Sequence, residues 1–331
     1  MLEWRPTTRP PPLTVTTAIS EERKMTYSLP PYRPFRGAEP PHFVDRADEN
    51  DVFGAGIVAA QVNACAAGPC DPRFFGLVTG APASGKTATV RAVAKEVSAR
   101  LGWAVVLHRC QAKQRVISTI ADEVGASARR SWPGHLGRFA HDVLSLGCSA
   151  SPARADAVPH LLSPGDEASW TSVRHFLKLA GMFARGMGSG FVLIFDDADR
   201  LPSGEVEVLG YLARNLVRSE LPIAFMFSGG PELQARFGRS GNFSGSAWHT
   251  PLPRFTGEEA REALVVPAAE RGVEFEDGAL ELLCEASAGH PLEVQRLGFA
   301  AWSAARGAAV ITLGAAEEAV GHQVPLVAQA S

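Results

Sequence analysis

Residues 80–87 read Gly-Ala-Pro-Ala-Ser-Gly-Lys-Thr, a complete G-x-x-x-x-G-K-[ST] spacing. They follow the apolar run Phe74–Val78 and precede Ala88–Ala99, a stretch that reads as helix. Strand, glycine-rich loop and helix in that order is the context in which this spacing binds phosphate. Gly80 and Gly85 let the backbone turn tightly enough for successive N–H groups to face a polyphosphate, and the helix start adds its positive dipole end. The predicted cradle is Gly80, Ala81, Pro82, Ala83, Ser84, Gly85, Lys86, Thr87 and Ala88. Lys86 would reach the β- and γ-phosphates, and the Thr87 hydroxyl would ligate Mg²⁺. The competing reading is a glycine-rich turn that merely resembles the motif; matching flanks and a second motif downstream weigh against it. The spacing predicts a chain that binds a nucleoside triphosphate.

The second motif is Phe191-Val-Leu-Ile-Phe-Asp196-Asp197, an apolar run ending in two carboxylates. A central strand of a parallel sheet reads as a continuous apolar run, and ligands sit at its carboxyl end. Asp196 would hold Mg²⁺ opposite Thr87, and Asp197 would orient an attacking water. Alone, such a run is more simply a strand ending in a polar turn. About 110 residues after a full phosphate loop, it becomes the second half of one site.

The elements that must position these groups follow from the pattern along the chain. Asp48–Ala67 reads as helix, Trp103–His108 as strand and Gln114–Val124 as an amphipathic stretch, while Gly125–Asp166 reads as loop-rich. Trp170–Met187 reads as a long helix packed on a sheet, Glu205–Arg218 as helix, and Gly190–Phe195 and Pro222–Phe227 as strands. Strands alternating with helices predict an α/β domain, a parallel sheet covered on both faces. After Pro253 the strands stop: Thr256-Gly-Glu-Glu259 is a capping box, and Gly278–Ala286 and Leu292–Ala305 read as further helices. The predicted organisation is a Pro-rich extended arm over 1–42, an α/β domain over 43–253 and a small all-helical unit over 254–331. Met25 is read as an alternative start, since nothing before it looks globular.

Composition narrows the class. A hydrophobic fraction of 46% against 20% charged residues fits a globular chain with a core. No apolar run approaches membrane-spanning length, no secretory signal opens the chain, and the five cysteines show no metal spacing. These features predict a cytoplasmic protein with no membrane partner. The net charge of −3 gives no global pull toward nucleic acid. Arg129, Arg130, Trp132, His135 and Arg138 form a small basic-aromatic cluster that could touch nucleic acid or a partner; a solvated loop is the plainer reading.

Beyond the two motifs, Leu29-Pro-Pro-Tyr-Arg-Pro34, Pro41-His-Phe-Val-Asp-Arg46, Phe225-Met-Phe-Ser-Gly-Gly-Pro-Glu-Leu233 and Ala288-Gly-His-Pro-Leu-Glu-Val-Gln-Arg-Leu297 carry a family likeness. In them, from Leu29 to about Glu318, the chain resembles the AAA+/STAND group of P-loop ATPases, especially bacterial origin-recognition-like ATPase domains. The resemblance implies a three-layer αβα P-loop NTPase domain followed by a helical lid, with ATP and Mg²⁺ as cofactors. By analogy Phe43 and Arg46 would line the adenine pocket, Ser228 would stand at the sensor-1 position near the γ-phosphate, and Pro291 would belong to the G-x-P element of the lid. Asp197 stands where many such ATPases keep a glutamate, one methylene longer. Asp45 replaces a usual glycine, and Leu292 falls where the lid's sensor-2 arginine is expected. Arg236 and Arg239 are the candidates for an arginine finger, with a solvated helix end as the alternative. Many relatives continue after the lid into a DNA-binding or effector domain, which here is expected to be lost or supplied by another polypeptide.

These features lead to a nucleotide-dependent switch with slow or no hydrolysis and a protein partner. The alternative is an oligomeric ATPase acting on DNA, in the manner of an initiator or loader, with ATP-dependent self-assembly.

Overall fold

Every position of Phe191–Asp196 is buried, as a strand covered on both faces requires. The computed structural model describes residues 29–35, 39–44, 75–113, 115–117, 119–132, 166–217, 219, 221–239 and 248–322. Within them β1 (Phe75–Gly80), β2 (Ala104–Arg109), β3 (Phe191–Asp196), β4 (Ile223–Gly229) and β5 (Trp248–Leu252) form one parallel sheet in the order β2-β3-β4-β1-β5.

Alternate residues of β3 feed two separate cores, because strand side chains point to opposite faces with period two. On one face Val192 and Ile194 join Val78 and Met226 against Val90, Val93 and Val97 of α1 (Lys86–Leu101). On the other, Phe191, Leu193 and Phe195 meet α2 (Ile120–Ser131), α3 (Asp166–Gly186), α4 (Ser203–Val217) and α5 (Leu233–Arg239). Phe195 stacks on Phe227, its register partner, with ring centroids 4.9 Å apart, and Phe237 of α5 meets Phe227 edge-on. This is the three-layer α/β fold that the alternating pattern predicts.

The second unit comprises α6 (Gly257–Ala269), α7 (Asp277–Ser287), α8 (Pro291–Ala304) and α9 (Leu313–Gly321) around its own apolar cluster. Thr256 caps α6 as predicted: the Glu259 N–H donates to its hydroxyl oxygen, and the Thr256 N–H donates to the Glu259 carboxylate. The strands do not stop entirely after Pro253. Glu274–Phe275 (β6) and Val310–Ile311 (β7) pair in parallel for two residues, where the loops leading into α7 and α9 run side by side.

Three further readings change. β5 was not anticipated, since Pro251 and its polar neighbours hide a strand; proline is tolerated there because β5 is an edge strand, held by β1 alone. The amphipathic stretch Gln114–Val124 is helical only from Ile120, and the helix runs on to Ser131, into the stretch read as loop-rich. Trp132 is core and not part of an exposed cluster: it packs edge-on against Phe191 at 4.8 Å. Arg129 and Arg130 are exposed; His135, Arg138 and the expected helix Asp48–Ala67 lie outside the described residues.

The described residues of 29–44 form neither helix nor strand, and Tyr32 and Val44 among them are buried. Tyr32 is buried in the helical unit's core, its hydroxyl donating to Leu264 O at 2.6 Å and its ring edge-on to Trp302. The Arg33 N–H donates to Gln295 Oε1, and His42 Nε2 lies 2.6 Å from Glu262 Oε1.

Candidate functional site

The phosphate-loop sequence turns from β1 into α1 with Gly85 at φ 94°, a left-handed conformation that only glycine adopts without strain. No side chain caps α1, so its first N–H groups are left for a ligand. Lys86 Nζ donates back to Gly80 O at 3.0 Å and Ala81 O at 2.8 Å. Burial pulls its pKa below the usual lysine value, and the carboxylates of Asp199, Asp197, Asp196 and Glu232 partly restore it. An ammonium that donates to backbone carbonyls, in the middle of a backbone cradle, suits a polyphosphate. Ser84 is buried beneath the loop.

At the carboxyl end of β3, Asp196 is buried and accepts from two hydroxyls. Thr87 donates to Oδ2 at 2.8 Å, and Ser228, on the intervening strand β4, donates to Oδ1. The Asp197 N–H in turn donates to Ser228 Oγ at 3.2 Å. Thr87 and Asp196, 109 residues apart, are thus brought together. Their hard oxygens suit Mg²⁺, which takes one or two carboxylates plus substrate phosphates and needs no cage of protein ligands. Accordingly, the described residues hold no cluster of three or more His, Cys, Asp or Glu side chains fit for a metal. Ser228 is fully buried, and its hydroxyl is engaged with Asp196.

A cleft of about 300 Å³ lies between this loop and the helical unit. Pro82, Ala83, Gly85, Lys86, Thr87 and Ala88 form its floor, Phe43 and Val44 one wall, and Phe255, Pro291 and Leu292 the lid side. Gly289, two residues before Pro291, has φ +70°, and a Cβ there would lie 2.4 Å from Phe255 O, so the turn into α8 requires glycine. Phe43 and Pro291 thus line one cleft with the phosphate loop, and Leu292 brings no charge. Arg46 and Asp45 lie outside the described residues.

Arg236 is not a free finger. Its guanidinium donates to Asp199 O at 2.5 Å and to Leu201 O at 2.6 Å, tying α5 to the turn after β3. The side chain of Arg239 is not among those described. Three arginines line the cleft instead: Arg33 on the arm, and Arg109 and Arg200, which the sequence reading passed over. Arg109 ends β2, and Arg200 ends the 3₁₀ turn Ala198–Arg200 after β3; their Nε atoms lie 3.6 and 3.8 Å from Asp197 Oδ2. Asp197 itself has φ 58°.

The family model described as the AAA ATPase domain matches residues 58–226, just over half of the chain. The chain belongs to the AAA ATPase domain family. Membership brings nucleotide binding with a divalent metal, in keeping with the cradle and the Thr87–Asp196 pair. Solved AAA ATPase structures of similar fold include the Aeropyrum pernix ORC2 protein (ADPNP-ADP complexes), which aligns over 88% of this chain and 72% of its own, at 17% identity and a TM-score of 0.54. The Walker-type ATPase of Pyrococcus abyssi aligns over 84% of this chain and 74% of its own, at 17% identity and a TM-score of 0.50. Cdc6p of Pyrobaculum aerophilum aligns over 82% of this chain, at 14% identity and a TM-score of 0.46. This chain spans 66% of that protein, just under two thirds. No curated protein sequence matches. Among the described residues no helix is long and apolar enough to cross a membrane.

Proposed function

We propose that this AAA ATPase is a nucleotide-dependent conformational switch of the AAA+/STAND kind, in which Mg-ATP is held between the α/β domain and the helical lid and is hydrolysed slowly or not at all. The observation that carries the reading is the cleft itself: Lys86 and Thr87 face Pro291 and Leu292 across it, so one ligand would touch both units. A ligand that contacts both units when they are closed favours the closed arrangement by its differential affinity, and thereby changes which surface a protein partner meets.

In this reading Lys86 and the loop N–H groups hold the phosphates, and Thr87 and Asp196 hold Mg²⁺, which supplies charge neutralisation at the outer phosphates. Phe43 and Pro291 enclose the base, and Asp197, with Ser228 behind it, is placed to orient a water. Slow turnover follows from what surrounds them. Leu292 brings no cation and Arg236 is committed to backbone carbonyls. An arginine finger from either of those places would be worth a factor of about 10³–10⁵ in hydrolysis. The alternative is an oligomeric ATPase acting on DNA, which requires an arginine from a neighbouring subunit. Residence in the cytoplasm goes with the switch reading.

The test is calorimetric titration of the chain with Mg-ATP beside Lys86→Ala, together with phosphate release. Tight binding by the parent, its loss in Lys86→Ala, and turnover far below about 1 s⁻¹ are expected. Unchanged affinity in Lys86→Ala would overturn the phosphate-loop assignment, and turnover at ordinary enzyme rates would overturn the switch.

A further inference from the structure

Asp197 Oδ2 is a single oxygen facing two guanidinium groups, and neither contact is a hydrogen bond. At 3.6 and 3.8 Å the two Nε atoms lie beyond the usual N–H···O range, and Arg109 and Arg200 are 60% and 55% exposed. Solvent-exposed ion pairs of this kind hold weakly. Asp197 is the only side chain with which either arginine is paired among the described residues. Of the other carboxylates close by, Asp196 accepts from the Thr87 and Ser228 hydroxyls, and Asp199 and Glu232 act on Lys86. Asp196, Asp197, Asp199 and Glu232 all act electrostatically on Lys86, so this end of the cleft carries no surplus of positive charge; Arg109 and Arg200 are its loosely held cations.

Position says what these two arginines are for. Arg109 is held by β2, in register with Asp196 of β3, and Arg200 by the turn that begins at Asp197. Both line the cleft together with Lys86 and Thr87. The loop N–H groups cradle the inner phosphates, while lysine and the hydroxyl of this motif reach the outermost ones. The outermost phosphate is therefore the part of the ligand nearest the Asp197 end. A phosphate presents more charge and more acceptor oxygens than a carboxylate, and the arginine fork suits it better.

We infer that Arg109 and Arg200 are the residues by which this chain tells a nucleoside triphosphate from a diphosphate, exchanging Asp197 for the terminal phosphate. The inference rests on the nucleotide reading above and deepens it. It places the reading of the third phosphate in the same chain, on the sheet side of the cleft and not at Leu292 of the lid. A switch needs such a reader, since a ligand shifts an equilibrium only by its differential affinity.

The experiment is calorimetry on the full chain with Mg²⁺, using ADP and the β,γ-imido analogue of ATP as probes, for the parent, Arg109→Ala, Arg200→Ala and Asp197→Asn. Each arginine variant is expected to lose about ten- to a hundredfold in affinity for the triphosphate analogue, the loss of one charge-assisted hydrogen bond, with ADP affinity held within about twofold. Asp197→Asn frees both arginines and is expected to raise the preference for the triphosphate. Equal losses for both probes, or no change in the arginine variants, would overturn the inference while leaving nucleotide binding in place. A parent that binds neither probe would remove the nucleotide reading and this inference with it.

Discussion

Asp196 shows how one side chain is fitted to two duties. Buried at the end of β3, it fixes the Thr87 and Ser228 hydroxyls, and its oxygens are the hard donors nearest the phosphate loop. Asp196→Ala leaves the fully buried Ser228 hydroxyl without its acceptor, at about 1–3 kcal/mol for an unsatisfied group. Asp196→Asn keeps one oxygen, and the hydroxyls can rotate to meet the amide. Both variants are expected to lose the magnesium dependence of nucleotide binding, but only the alanine should lower Tm by several degrees. A variant binding as the parent does, with magnesium still required, would take Asp196 off the metal. Asp197 calls for a different substitution. With φ 58° it occupies the left-handed region, where asparagine is among the few tolerated residues and alanine is strained. Asp197→Asn is expected to keep Tm and at least the parent's ATP affinity while lowering the residual turnover. Equal rates of phosphate release in variant and parent would remove Asp197 from the chemistry.

The arm and the lid helices assemble the other half of the cleft. Tyr32 fastens the arm, its ring lying where any Cβ on Gly298 of α8 would come within 2.8 Å. Tyr32→Ala should cost about 3–5 kcal/mol, as large-to-small changes of buried aromatics do. Tyr32→Phe should cost about 1 kcal/mol, the hydrogen bond to Leu264 O. Because Phe43 and Val44 follow on the same arm, the alanine variant should also weaken ATP binding, and the phenylalanine variant should not; melting and calorimetry check both. At the start of α8, burial lowers the His290 pKa below 6.5, Arg254 lowers it further, and Glu293 partly opposes them. The folded state thus disfavours the charged imidazole. Its contribution to stability is present above pH 6.5 and is lost as pH falls through the lowered value. Melts across this range should show the loss in the parent and a flatter profile in His290→Gln; identical profiles would assign the pH dependence elsewhere. The same elements show what a sequence can and cannot display. β3 and β4 announce themselves as apolar runs, and α6 through its capping box, because these signals are local. Edge strand β5 is defined by pairing with β1, Arg109 meets Asp197 only because β2 lies beside β3, and Tyr32 finds its acceptor 232 residues away. Arg236 reads as a surface cation because its acceptors are backbone carbonyls.

The sheet has a core on each face, the lid has a third, and the cleft lies where sheet, lid and arm meet. A ligand seated there stabilises the assembled form by mass action, about 2.7 kcal/mol at a hundred times its Kd. Whether a second copy is needed to complete the site is then a question about arginines. Arg236 is fixed internally, and the side chains that face the third phosphate, Lys86, Arg109 and Arg200, all come from one chain. A site complete within one chain should show the same turnover per molecule at every protein concentration. The expected profile is therefore flat and slow, from nanomolar to tens of micromolar protein, with Lys86→Ala as the blank. A specific activity that climbs with concentration would mean that a neighbouring copy supplies the missing rate factor. The switch reading would then give way to an assembly-dependent ATPase, and Arg109 and Arg200 would be readers of bound nucleotide within it.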